Sequence, residues 1–277
     1  MTEPITQAIQ DHLSRIEKTE NVTILHACES GSRAWGFESE DSDYDVRFIY
    51  ISRTPHYLSI ERENSVIERP IDNRLDLSGW DLIKALDLFR KSNPPLLEWI
   101  QSPIVYRSTS SLVEKLRGLL PQFYSPRACM YHYLHMAEGN LREYLKGEEV
   151  WTKKYFYVLR PVLACLWIEN GLGVVPTEFH RLLDAVVTDQ ELRTEIESLL
   201  AAKKSGQELG KGPRNEAISS FVERHIRRLN GAVQRKPDAS DASALNHLFI
   251  DILTEVNGYT IEQGDVSNGR VRASAPI

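Results

Sequence analysis

Apolar residues Ile5, Ala8, Ile9, Leu13 and Ile16 recur at spacings of three and four, the period of a helix with one buried face, and predict an opening helix. The run Val22 to Cys28 is rich in β-formers and reads as a strand. After a Gly/Ser turn, Tyr44 to Ile51 reads as a second. Residues 65–69 and 71–77 give two more strands separated by Pro70, a residue that suits an edge or a strand start because it has no N–H to donate. Ser78, with Asp81 three residues on, resembles a capping box and opens a helix over Trp80–Lys91. Pro94-Pro95 fits the first turn of a short helix ending near Gln101. Beyond Arg107 the strand signals vanish. Segments 109–119, 126–146, 152–170, 176–187, 189–203, 214–235 and 238–256 are compatible with helices broken by Gly and Pro. The pattern therefore predicts an α+β chain: a small mixed-sheet unit over residues 1–107, then an all-helical unit over 108–277. Residues 204–215 form an expected surface loop, and the tail after Gly258 is polar and weakly patterned.

Composition changes this picture little. Hydrophobic residues make up 42% of the 277 positions and charged residues 26%, ordinary for a chain that buries a real core. A formal charge of −6 argues against coating nucleic acid through bulk charge, while leaving a local basic groove open. Cys28, Cys129 and Cys165 are far apart and embedded in apolar stretches, the pattern of buried free thiols. The first residues lack a basic, then apolar, leader, and no apolar run approaches the ~18 residues that span a bilayer. The expectation is a soluble cytoplasmic protein with no membrane partner.

The informative stretch is SGSRAWGFESEDSDYDVRFIYI, residues 30–51. Side chains alternate along a strand, so Asp43 and Asp45 point to one face and Tyr44 and Val46 to the other. Two carboxylates ~7 Å apart at a strand entrance can hold divalent ions between them. Magnesium takes hard oxygen ligands, commonly one or two carboxylates plus substrate phosphates, and Mn²⁺ suits the same donors. Gly31 and Ser32 open a turn whose backbone could approach a triphosphate closely. A third carboxylate is expected on a neighbouring strand. In PIDNRLDLSGW, residues 70–80, Asp72, Arg74 and Asp76 share a face by period two, and Asp76 lies nearer the strand end. The expected metal set is Asp43, Asp45 and Asp76 holding two Mg²⁺ or Mn²⁺ ions. These would align attack on an α-phosphate and neutralise the departing pyrophosphate.

This pattern resembles the signature of DNA polymerase β-like nucleotidyltransferases: G-[GS], nine to thirteen residues, then D-h-[DE]-h. More narrowly, ESGSRAWGF, SDYDVRFIY, PIDNRLDLSGWDLIKAL and NPPLLEWIQSPIVY resemble the RlaP/YcgL-like family of nucleotidyltransferases. The similarity continues through YFYVLRPVLACLWI and GKGPRNEAISSFV, over most of the chain. Ser30 stands where the broad superfamily has a hydrophobic residue, and fits the narrower family. The resemblance implies a polymerase β-like palm as the catalytic domain over 1–107. It also implies a helical domain over 108–277 that closes on the nucleotide, with Lys and Tyr touching triphosphate or base. The implied reaction is transfer of a nucleoside monophosphate from an NTP, ATP first, to an acceptor hydroxyl. An RNA end in RNA repair is the implied context; a protein side chain or small molecule, or a non-catalytic nucleotide-binding module, remains an alternative.

Around this core, Arg33 follows the Gly-Ser pair and can reach a phosphate oxygen or simply stay in the turn. Trp35 and Phe37 suit the core or a base pocket. Glu29 can pair with Arg33 or Arg47 and is given no role. In residues 152–168, Lys153, Tyr157 and Arg160 fall on one side by spacings of four and three, with Lys154 beside them, as candidates for nucleotide contact. Phe156, Val158, Leu159, Val162, Leu163 and Leu166 serve the core. Arg160 precedes Pro161, whose kink can aim it inward. Segments 203–215 and 224–236 concentrate positive charge, suited to an RNA acceptor or to a solvated face. Tyr131, His132, Tyr133 and His135 read as packing and not as a metal site.

Overall fold

A computed structural model describes residues 3–61, 64–72, 74–206, 210–232 and 241–258. The elements run α1 (Glu3–Glu20), β1 (Val22–Glu29), α2 (Gly31–Trp35), β2 (Tyr44–Ser52), α3 (Thr54–Tyr57), β3 (Val66–Asp72), β4 (Leu75–Asp81), α4 (Leu82–Arg90), α5 (Pro94–Trp99) and β5 (Val105–Ser108). There follow α6 (Leu112–Phe123), α7 (Pro126–Tyr144), β6 (Glu149–Trp151), α8 (Tyr155–Glu169), α9 (Phe179–Val186), α10 (Gln190–Lys204), β7 (Lys211–Pro213), α11 (Glu216–Ala232) and α12 (Ser243–Asn257). Five strands form one mixed sheet in the order β3-β4-β2-β1-β5. β2 and β4 are parallel, while the β1–β2, β1–β5 and β3–β4 pairs are antiparallel. This is the expected α+β class.

The two faces of the sheet bury different sets of side chains, and the alternation of β2 decides which is which. Val46, Phe48 and Tyr50 join Ile9, Leu13 and Ile16 of α1 in the smaller core. Ile49 and Ile51 face the other way, into a larger core that continues through α4, α5 and every long helix beyond residue 107. Asp45 and Arg47 share the parity of Ile49 and Ile51. The helical half therefore covers the face of the sheet that carries the aspartates. α8 is its centre, with Phe156, Val158, Leu159, Val162, Leu163 and Leu166 all buried as the spacing predicts.

Several local expectations need correction. Residues 71–77 are not one strand: Arg74 takes a left-handed φ of 68° and turns the chain between β3 and β4. The period-two grouping of Arg74 with Asp76 fails at that turn, and the side chain of Asp72 lies outside the described residues. Pro70 does lie on an edge strand, β3. β4 runs on to Asp81, so the cap of α4 is Asp81, whose carboxylate accepts from Ile83 N at 2.9 Å, and not Ser78. The region after 107 is not purely helical, because β6 and β7 pair as a two-stranded ribbon. β5 and the short α2 and α3 carry too few residues to show a period. Cys28, Cys129 and Cys165 are buried free thiols, with pKa values pushed up chiefly by burial. No helix among the described residues is long and apolar enough to cross a membrane. The expected mobile tail, after Gly258, lies outside the described residues.

Candidate functional site

A cleft of about 670 Å³ opens between the sheet and the helical half. Its sheet-side wall carries Ser32, Phe37, Ser39, Asp41, Ser42, Asp43 and Asp45. The opposite wall carries Trp151, Lys153, Lys154, Tyr157, Lys203, Gly206 and Gly210. Residues more than a hundred positions apart thus set carboxylates against ammonium groups in one space.

The aspartates are held from beneath. β2 begins at Tyr44, whose N–H donates to Arg74 O at 2.8 Å, and Asp45 sits one position in. The Asp45 N–H donates to Oε1 of Glu29 at 2.7 Å, and its carbonyl accepts from Ser30 N at 2.8 Å. Glu29 is fully buried and accepts a second, very short bond from the Tyr106 hydroxyl. Burial, only partly offset by these two bonds, pushes the Glu29 carboxyl up to about 7. The sequence gives Glu29 no role, yet it anchors the strand entrance that bears both aspartates. Its signal, a charged residue ending a buried strand, was visible but not interpretable without Tyr106.

Gly31 meets Asp45 directly. Its φ is +58°, and a Cβ built there would lie 2.0 Å from Asp45 Oδ2. Only a hydrogen fits, so Gly31 is the space in which the Asp45 carboxylate stands. Ser32 lines the cleft just beyond. Arg33 does not reach across it. Its Nε and Nη2 donate to Asp43 O at 3.1 Å and Ser42 O at 2.8 Å, and its guanidinium lies 3.7 Å from the centroid of Tyr44. Arg33 here fastens the loop that presents Asp43, the turn role that the sequence left open beside phosphate contact.

Asp76 lies in register with Asp45 across the parallel β2–β4 pair, as a neighbouring-strand carboxylate should. Its Oδ2 accepts from Arg47 Nη2 at 2.7 Å, and the same nitrogen lies 3.1 Å from Asp45 Oδ1. Arg47 is two positions after Asp45 on the same face, so strand alternation alone brings it between the two carboxylates. One guanidinium thus engages two of the three aspartates of the expected metal set. Asp43 and Asp45 line the cleft, Asp76 is engaged by an arginine, and no cluster of three or more His, Cys, Asp or Glu suited to a metal occurs among the described residues. Asp43, Asp45 and Asp76 are all carboxylate donors of the kind a hard divalent cation takes. Burial raises the pKa of Asp45 against the pull of Arg47, and Asp76 and Asp43 raise it further, the mark of surplus negative charge.

On the opposite wall, Lys154 Nζ sits 4.7 Å from the centroid of Tyr144 and 4.3 Å from that of Tyr157. Lys203 Nζ lies 5.3 Å from that of Phe37. Burial and then the charge of Lys153 depress the pKa values of both Lys154 and Lys203, so a polyanion entering here meets cations that already repel one another. The hydroxyl of Tyr157 has its pKa raised by burial and then by Asp45 and Asp43, which places it within their field.

Arg160 is not among the residues that line the cleft. It is 1% exposed, donates from Nη1 to Glu98 Oε1 at 2.6 Å, and reaches the carbonyls of Pro176 and Thr177. The 3₁₀ turn over Thr152–Lys154 breaks the regular spacing from Lys153, and the Arg160 guanidinium lies 4.8 Å from the centroid of Trp35. Trp35 Nε1 donates to the other Glu98 oxygen at 3.2 Å, its ring sits edge-on to Tyr157, and Tyr133 Oη donates to Glu98 at 3.0 Å. This hub ties α2 and α5 to α7 and α8 behind the cleft. Phe37 is core as well as cleft wall, and Tyr133 packs in the core as expected.

Lys203 and Trp151 were missed as cleft residues because neither lies in a recognisable motif. Segment 203–215 contributes Lys203, Gly206 and Gly210 to the cleft, with residues 207–209 outside the described set. In segment 224–236, Arg228 is taken up by Glu169 at 2.5 Å, while 233–236 lie outside the described residues.

The RlaP family, described as the RNA repair pathway DNA polymerase beta family, matches residues 5–251. The uncharacterized protein YcgL of Bacillus subtilis (strain 168) is 49% identical over 252 residues, covering 90% of this chain and 97% of that protein. A solved structure of a nucleotidyltransferase-like protein from Exiguobacterium sibiricum 255-15 is 15% identical, with a TM-score of 0.31 over 91% of this chain and 90% of its own.

Proposed function

From the premise that this chain belongs to the RNA repair pathway DNA polymerase beta family, we propose that it is a metal-dependent nucleotidyltransferase moving a nucleoside monophosphate from an NTP, ATP first, to a hydroxyl at an RNA end. The observation that carries this reading is the facing of Asp43 and Asp45 against Lys153, Lys154, Lys203 and Tyr157 across one cleft. Asp43 and Asp45, with Asp76 in register beside Asp45, are the residues that would hold Mg²⁺ or Mn²⁺, which when bound supplies Lewis-acid neutralisation of the phosphate oxygens.

The residues of the chain then divide the remaining work. Lys153, Lys154 and Lys203 bind the β- and γ-phosphates, whose charge relieves the repulsion among the ammonium groups. Ser32 borders the triphosphate from the sheet side, and Gly31 leaves Asp45 its space. Arg47 and Asp76 set the direction of the Asp45 carboxylate, Arg33 holds the Asp43 loop, and Glu29 holds the Asp45 main chain. The acceptor oxygen forms its bond to the α-phosphorus as the bond from that phosphorus to the bridging oxygen breaks. Pyrophosphate leaves, and the hydroxyl proton passes to solvent or a carboxylate. Catalysis here is positioning and charge, with residues 1–107 supplying the carboxylates and 108–277 the cations.

Incubating the protein with each α-labelled NTP, Mg²⁺ or Mn²⁺, and total RNA or protein extract tests this. Label in RNA, dependent on metal and lost in Asp43→Asn, is the expected result. Label in protein would transfer the chemistry to another acceptor, and label nowhere would remove the transferase reading.

A further inference from the structure

The ribbon at the mouth of the cleft carries a feature that nucleotide binding by the lysines leaves unexplained. β6 and β7 pair Trp151 with Lys211. Thr152 N donates to Gly210 O at 3.0 Å and Arg214 N to Glu148 O at 2.9 Å, which staples segment 210–214 to the start of α8. Trp151 is 41% exposed although it borders the cleft, and it belongs to neither core cluster. The other four tryptophans are packed: Trp99 is buried and stacked with Trp80, and Trp35 and Trp167 pack against the larger core. The Lys211 ammonium stands 5.5 Å from the centroid of the Trp151 indole.

An indole left open to water forgoes a large apolar burial, so a rigid, solvent-facing Trp at a substrate cleft is well suited to a planar ligand. The charge around it says what carries that ligand. Lys153 and Lys203 line the cleft, whereas Lys211 is not part of its lining, is exposed, and stands beside the Trp151 indole. Positive charge is therefore present beside the indole as well as among the lysines that line the cleft. A single NTP places its phosphates only at the aspartates and cleft lysines. A strand places a phosphate at every step outward, with a base between successive phosphates.

We propose that Trp151, flanked by Lys211, is a stacking platform for a base near the end of a single-stranded RNA acceptor. Resting on the transferase reading above, it assigns the rim of that cleft to the acceptor and not to the NTP. Lys211 follows the backbone phosphate beside the stacked base.

The test is equilibrium binding of a fluorescently labelled short single-stranded oligoribonucleotide to the full chain, without NTP, in parallel with ATP binding. Base–aromatic stacking contributes about 1–3 kcal/mol, so Trp151→Ala should weaken RNA binding by roughly 5- to 150-fold, with ATP affinity kept within about two-fold. Trp151→Phe, which keeps a ring, should retain most of the affinity, and Lys211→Ala should flatten the salt dependence. Because Trp151 is outside both cores, the thermal midpoints of these variants should match the parent. RNA affinity unchanged in Trp151→Ala overturns the proposal, as does loss of ATP affinity instead, or a Trp151→Phe variant as weak as alanine. The measurement involves no turnover. RNA binding that depends on Trp151 in a protein that transfers no label would uphold the platform and refute the transferase reading alone.

Discussion

Adding a single methyl group at Gly31 should separate catalysis from stability. The Cβ of an alanine there would stand 2.0 Å from Asp45 Oδ2 and 2.8 Å from its Cγ, whereas real Cβ contacts begin at about 3.0 Å. The carboxylate must therefore retreat by about 1 Å, and its Oδ1 contact with Arg47, 3.1 Å long, must change with it. Alanine also inherits the left-handed φ of +58°, a backbone penalty of about 1–2 kcal/mol. Gly36→Ala provides the control: φ is +82°, yet a Cβ there meets nothing within 4 Å. Both variants carry that backbone penalty of about 1–2 kcal/mol in urea denaturation, and Gly31→Ala adds the cost of displacing the Asp45 carboxylate. A 1 Å misplacement of a reacting constellation costs on the order of 10²-fold in rate, so Gly31→Ala should lose about that factor in label transfer while Gly36→Ala stays near the parent. If Gly31→Ala transfers label as fast as Gly36→Ala, the Asp45 carboxylate is not a group whose position matters to the reaction, and the site assignment fails.

Three further outcomes are expected. Asp43→Asn should abolish transfer and, in metal-free buffer, leave the thermal midpoint unchanged or slightly raised, because it removes one of the charges that disfavour ionised Asp45; full activity would contradict the metal-holding role. Arg160→Met leaves Glu98 buried without its cation and should lower stability by about 3–5 kcal/mol, with partial recovery in the Glu98→Gln/Arg160→Met double variant; a loss below about 1 kcal/mol in denaturant melts would mean that the pair is not buried as described. Glu29 titrates at about 7 in the folded chain, against about 4.5 for a free glutamate, so the native state binds its proton more tightly. Its contribution to stability is complete below about pH 4.5 and is lost as pH rises through about 7. In metal-free buffer the unfolding midpoint of the parent should fall across that window relative to Glu29→Gln, and parallel pH profiles of the two would count against the buried carboxyl.

The two carboxylates that define the candidate site were legible in the sequence because everything needed to place them is local. A β-rich run marks the strand and sets the face of Asp45, the preceding Gly-Ser pair marks the turn, and Asp43 lies one position before the strand, in the loop that Arg33 fastens. The long helices were legible for the same reason, since a 3.6-residue period over fifteen or more positions survives noise. Short elements were not: β5, β6 and β7 hold three or four residues each, too few for a period, and the β3–β4 turn hid inside what read as one strand.

What only the tertiary structure decided is which partner each face meets. Periodicity assigns a side chain to a side of its own element and is silent about the element that packs there. Arg160 and Lys153 both belong near the cleft by local reasoning, yet Glu98, sixty-two positions earlier, captures one and leaves the other free to line the pocket. Asp76 stands in register with Asp45 as strand reasoning suggests, while Arg47, a residue with no motif of its own, sets its chemistry. Lys203 and Trp151 become cleft residues only because the ribbon and the packing of α8 bring segments fifty positions apart to one rim. Burial and Coulomb energy depend on distance in space, and chain separation carries almost no information about that distance once the polymer has folded on itself.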